Sequence, residues 1–207
     1  MRHQLDLASW PRRDHFQFFR RFEEPFFGVC VEVDCTAAYD RSKVGGHSFF
    51  LHYLHCTLAA ANATEPFRYR ISGDDVWIYD EVHASPTINR PNGTFGFAYM
   101  NWHPDRAVFL QEAAAETERV RAGTGLVPAV SGENVLHCSS MPWLRFTGLS
   151  HARSFSFPDS CPKIAFGKME EADGRRKMPL SVHVHHALMD GYHVGQFIER
   201  LQTELDR

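Results

Sequence analysis

The sequence contains no CxxC pair, no HExxH and no GxGxxG. Its five cysteines, Cys30, Cys35, Cys56, Cys138 and Cys161, are odd in number and share no short spacing. That argues against a disulfide framework and against a zinc ribbon. Without HExxH or Cys/His pairs, the usual zinc-ligand spacings are missing too. Without a glycine fingerprint after a strand, nothing supports a dinucleotide-binding fold. Lys and Arg gather into no stripe and the net charge is −3, so nucleic acid is not an expected partner. The opening MRHQLDLASW has no apolar run, so no signal peptide is expected. Gly45 to Thr64 carries no Asp, Glu, Lys or Arg, but it holds His47, His52, His55 and Asn62. Its helical spacing reads as a buried amphipathic helix rather than a membrane span.

What remains is a chain of 207 residues, 43% hydrophobic and 23% charged. That fits a single domain, residues 1–207, with a real core. The free-cysteine pattern points to a reducing cytoplasm. Ser9-Trp10-Pro11 reads as a helix start, with Ser9 as cap and Phe16, Phe19 and Phe22 on one face. Strands are predicted at Phe26 to Asp34, Arg68 to Ile71, Val76 to Tyr79, Thr94 to Tyr99, Val135 to Ser140 and Ile164 to Lys168. A helix is predicted from Asp105 to Arg121. The last unit is the clearest: a strand at Leu180 to His185, then a helix at Tyr192 to Leu205. Val194, Phe197, Ile198, Leu201 and Leu205 share one face of that helix. Strands and helices are mixed without regular alternation. The fold class is therefore α/β, a two-layer sandwich with a mixed β-sheet covered by helices.

The stretch VHVHHALMDGYHVG, Val182 to Gly195, holds four of the 13 histidines. It allows a metal site, an acid–base centre, or a hydrogen-bonded strand-to-helix corner. His183 and His185 share one strand face. His186 continues the apolar parity of Val182 and Val184 and arrives where the chain turns through Asp190-Gly191 into the helix. A histidine held at such a corner meets the needs of a general base, since imidazole ordinarily titrates near neutral pH. Asp190 is placed to cap the helix or to pair with a cation.

HHALMDG matches the HHxxxDG signature of the coenzyme A-dependent acyltransferase superfamily. The longer VHHALMDGYHVGQF resembles chloramphenicol acetyltransferases of the trimeric, type A class. So do WPRRDHFQFFRR, FRYRISGDDVWIYDEV and SSMPWLRF, in the same order from Leu5 to Leu205. The resemblance implies the acyltransferase fold and direct transfer of an acetyl group from acetyl-CoA to a hydroxyl of chloramphenicol, the reaction of antibiotic resistance. It implies that His186 is the general base, its ring held by a hydrogen bond to its own carbonyl. It implies that Ser139 donates to the oxyanion, with Ser140 the neighbour to be told apart from it. Asp190 would form a structural ion pair with Arg12 (Arg13 as fallback), and Lys168 would lie near the 3′-phosphate of coenzyme A. No metal is implied. The acceptor pocket is expected to be apolar and aromatic, with Phe19, Phe26, Phe27 and Phe95 as lining. A homotrimer with sites at subunit interfaces is expected. Phe19, Ala165 and Met169 depart from the family pattern, which leaves a different hydroxyl acceptor as the alternative.

Overall fold

The computed structural model describes residues 1–126, 132–155 and 157–207. In chain order the elements are β1 (Arg2–Gln4), α1 (Arg13–Phe19), β2 (Phe26–Asp34), α2 (Thr36–Val44), α3 (Phe49–Asn62), β3 (Tyr69–Ser72), β4 (Asp75–Tyr79), β5 (His83–Asn89), β6 (Phe95–Phe97), α4 (Arg106–Ala122), β7 (Val135–Ser140), β8 (Lys163–Phe166), β9 (Glu170–Ala172), β10 (Arg175–His185) and α5 (Gly191–Asp206).

The main sheet runs β2-β10-β8-β7-β5-β6, with β9 attached to β10. β10 is antiparallel to β2 and to β8, whereas β7 is parallel to both β8 and β5. The sheet is mixed and helices cover it, as the sequence pattern suggests. A small antiparallel sheet, β1-β4-β3, stands apart. Its β3–β4 turn uses Gly73 at φ 62°, a left-handed conformation that glycine adopts without steric cost.

No residue of α3 is exposed. Ser48 caps it, accepting from the Leu51 amide. Its histidines are satisfied inside the protein: His52 meets His47 at 2.8 Å, and His55 lies 3.1 Å from the His103 carbonyl. Among the described residues no helix is long and apolar enough to cross a membrane. α5 packs Val194, Phe197, Leu201 and Leu205 into the same core as α3, with Phe67 stacked on Phe197 at 4.3 Å.

The N-terminal helix differs from its predicted start. α1 begins at Arg13, because the Ser9 hydroxyl is taken by the Asp6 carboxylate at 2.6 Å and caps nothing. Phe16 is fully buried, while Phe22 lies beyond the helix and is 43% exposed. The predicted strand at Thr94 to Tyr99 shortens to β6. Its continuation still bonds to β5 through Ala98 N–H to the Pro86 carbonyl.

Candidate active site

β10 ends where β2 begins, and the pairing of His185 with Phe26 brings the two ends together. The next amide, His186 N–H, donates to the Pro25 carbonyl at 2.8 Å. Arg12 closes the corner from just ahead of α1. It forms an ion pair with the Asp190 carboxylate and donates to the His186 carbonyl at 3.3 Å. Asp190 is also the N-cap of α5, accepting from Tyr192 N–H, while His193 completes a capping box. One aspartate thus ties the start of α5, the approach to α1 and the end of β10.

The His186 ring is half-buried between two phenylalanines. Phe19 stacks on it at 3.9 Å and Phe27 lies at 4.7 Å. Nδ1 is 3.3 Å from the Met189 carbonyl. The resemblance implies the ring's own carbonyl for this role, but that carbonyl is turned to Arg12 instead. A carbonyl can only accept, so the proton sits on Nδ1 and Nε2 carries the lone pair. That is the tautomer a base needs.

The other histidines of the stretch have structural partners. His185 is buried, accepts from Ala187 N–H, and is pushed down to about 4 by burial and then by Arg153. His183 lies across Gly28 on β2, where a Cβ would run into its ring. His193 belongs to the cap. None of the four joins a metal-like cluster. The one grouping of that kind among the described residues is His137, Asp159 and Cys161.

Asp190 titrates low. Burial raises its pKa, but the hydrogen bond and charge of Arg12 and the proximity of His193 outweigh this. Its contribution is therefore complete above the ordinary carboxylate range, near 4, and is lost as pH falls through the depressed folded value. Asp190→Ala removes the cap and leaves Arg12, whose side chain is only 14% exposed, without its counter-ion. A loss on the order of 3 kcal/mol is expected in urea unfolding at pH 7, with a smaller loss for Asp190→Asn, which keeps a capping side chain. Equal losses would mean that the cap matters and the charge does not.

Ser139 lies on the sheet floor in a lateral row, Ser139–Ala165–Ser181–Cys30. It opens into a cavity of about 600 Å³. Ser140 faces the other way and engages the Tyr53 hydroxyl at 2.9 Å, beside a smaller cavity of about 300 Å³ lined by Phe50 and Trp143. Within one chain Ser139 and His186 are far apart. Ser139 is level with Ser181, so His186 is five residues further along β10 and two strands across. At ~3.3 Å per residue and ~4.8 Å per strand, that is roughly 19 Å.

The expected lining divides as well. Phe19 and Phe27 flank His186; Phe26 sits under Arg153 at 3.9 Å and meets His185 edge-on; Phe95 is 43% exposed on the β5–β6 hairpin. None of these four lines the Ser139 cavity. Phe97 and Phe157 do, together with His137, His151, Asp159 and Lys163. The cavity thus carries charged and imidazole side chains beside its apolar lining, which the expected aromatic pocket does not include. Strand parity holds the missed signal: His137 is two residues from Ser139, and Lys163 two from Ala165, so each shares the cavity face. Lys168 is exposed on the β8–β9 connection, its amide donating to the Leu144 carbonyl at 2.7 Å.

The family model "Chloramphenicol acetyltransferase" matches residues 2–202. The chain belongs to the chloramphenicol acetyltransferase family. It is 31% identical over 204 residues to a chloramphenicol acetyltransferase of Streptomyces acrimycini, covering 97% of this chain and 93% of that one. It is 30% identical over 202 residues to chloramphenicol acetyltransferase 3 of Escherichia coli, covering 96% and 94%. A solved chloramphenicol acetyltransferase superposes with a TM-score of 0.91 at 31% identity, covering 99% of this chain and 100% of that one. A probable dihydrolipoamide acetyltransferase of Listeria monocytogenes superposes at 0.63 with 13% identity, covering 98% and 94%. That likeness is one of fold: the coenzyme A-dependent acyltransferase sandwich carries this family's corner at the end of β10.

Proposed function

We propose that the chain, as one domain, transfers the acetyl group of acetyl-CoA directly to a hydroxyl of chloramphenicol. The observation that carries this reading is the His186 ring, with Nδ1 tied to a carbonyl and Nε2 left as the base. Nε2 takes the hydroxyl proton as the oxygen attacks the thioester carbonyl carbon. Ser139 donates to the oxygen that becomes negative. The C–S bond then breaks, and the proton returns from imidazolium to the departing thiolate sulfur. The products are the acetyl ester and free coenzyme A, with no acyl-enzyme between them.

The ~19 Å between His186 and Ser139 supports a site shared by two subunits of a homotrimer, one supplying the base and the next the serine. Lys168, exposed and cationic, is the proposed partner of the 3′-phosphate of coenzyme A. All five cysteines are free thiols, which suits a cytoplasmic enzyme.

A thiol-release assay tests the reaction. Purified protein mixed with acetyl-CoA and chloramphenicol should release one thiol for each ester formed. Release with other alcohols but none with chloramphenicol would overturn the acceptor assignment and favour a different hydroxyl acceptor. No release with any alcohol would overturn acetyl transfer itself.

A further inference from the structure

The wall of the Ser139 cavity carries a charged group that the reaction above leaves unused. β7, β8 and β10 pair so that His137, Lys163 and His183 form one lateral row, two residues along from the Ser139–Ala165–Ser181 row. Adjacent rows on a sheet face are about 7 Å apart. Lys163 is 7% exposed, yet it borders the cavity that contains Ser139.

The partners of Lys163 are few. Its ammonium is ion-paired with Asp159 and lies 3.4 Å from the Cys161 carbonyl, above the Phe26 ring at 4.8 Å. An ammonium has three donors, so one remains. The other charges of the wall are matched elsewhere: Arg153 pairs with Glu24, and Glu133 lies 3.8 Å from Arg2. His137 and His151 are both pushed down to about 4, first by burial, with Lys163 contributing, and are neutral at pH 7. Nε2 of His151, another wall residue, has no partner among the described residues. A metal bound by His137, Asp159 and Cys161 would have to displace the ammonium from Asp159, so this cluster does not read as a metal centre.

We propose that Lys163 binds a planar two-oxygen group, nitro or carboxylate, at the end of the acceptor remote from its reacting hydroxyl. The proposal rests on the acetyl-transfer reading and deepens it. The reacting hydroxyl lies at the thioester carbonyl whose oxygen Ser139 binds, and the far end of the molecule reaches the next row, where Lys163 and a neutral imidazole supply donors to negatively polarised oxygens. An apolar end would leave the remaining ammonium donor and the imidazole N–H without a partner, and an unmatched buried donor is the usual source of strong discrimination between otherwise similar substrates. Nitro and carboxylate share this chemistry and differ in charge.

Three acceptors with the chloramphenicol skeleton separate the cases: the para-nitro compound, its para-carboxy analogue and the para-unsubstituted analogue. The wild type should favour the first or second over the third by about ten- to hundredfold in kcat/KM, a range set by a hydrogen bond to a charged group. A larger preference for carboxylate than for nitro would identify full charge as the feature recognised. In Lys163→Met the preference should fall toward one, with the loss in KM rather than kcat, and Lys163→Arg should restore part of it. Because Lys163→Met strands Asp159, the double variant Lys163→Met/Asp159→Asn removes both charges and should show the same loss. Calorimetric binding of the three acceptors gives a readout independent of turnover. Turnover of all three without preference, or a preference intact in Lys163→Met, overturns the role of Lys163 and leaves acetyl transfer standing. Absence of turnover with selective binding overturns acetyl transfer and leaves the oxygen-binding subsite standing.

Discussion

His186→Gln is expected to lower kcat by about a hundred- to ten-thousandfold, the range that a positioned general base contributes. The corner should survive the change, because its ties are made by the backbone. The amide of residue 186 donates to Pro25 and its carbonyl accepts from Arg12, and neither bond involves the imidazole. Asp190 still caps α5. Glutamine fills much of the space between Phe19 and Phe27, but an amide nitrogen has no lone pair to accept a proton at neutral pH. The loss should therefore appear in kcat, with KM for acetyl-CoA close to wild type and the thermal midpoint within a few degrees. A variant that keeps its turnover would remove His186 from the chemistry. A variant that loses its fold would make the ring structural, so the midpoint must be measured beside the rate.

The unit that carries His186 was the most legible part of the chain. Val182 and Val184 alternate with histidines, Asp190-Gly191 breaks the pattern, and Val194 to Leu205 resumes it with helical period. Two local rules therefore point to one strand-to-helix corner. Other elements resisted. α2 buries only Ala38 and Ser42, so it has no apolar stripe to detect. Its start is set by the Asp34 carboxylate, which accepts from Thr36 N–H at 2.9 Å. β5 contains Pro86, which argues against a strand inside a sheet. The proline is tolerated because it faces the short β6 side, where Ala98 N–H still donates to the Pro86 carbonyl and only the return bond is forgone. The charged wall of the cavity was illegible for a different reason. Parity assigns His137 and Lys163 to a face, but only the register of β7 against β8 makes them neighbours, and no local signal fixes that register. The link between Arg12 and Asp190, 178 residues apart, came from family resemblance rather than from any pattern in the residues.

Ser139→Ala is expected to lower kcat by about a hundred- to a thousandfold, since one preorganised donor to a developing oxyanion is lost. The sharper form of this prediction mixes it with His186→Gln. Each variant alone lacks one half of the chemistry. If the base and the serine of one site come from two neighbouring subunits, a trimer built from both variants contains some interfaces that are whole. Such an interface needs the Ser139→Ala chain on the side that supplies the histidine and the His186→Gln chain on the side that supplies the serine. With random assembly from equal amounts, each condition holds one time in two, so about a quarter of the sites recover. Co-expression of the two chains, with purification through a different tag on each, keeps only mixed trimers, each with one whole interface of its three, and should give thiol release of about a third of wild type. The separate variants, mixed after assembly, should stay near their own low rates. If the two residues instead met within one chain, every site in the mixture would carry a defect and nothing would be regained. A recovered fraction would tie the ~19 Å spacing along and across the sheet to the assembly, because it would mean that a chain holding His186 and Ser139 so far apart completes its site with a second copy.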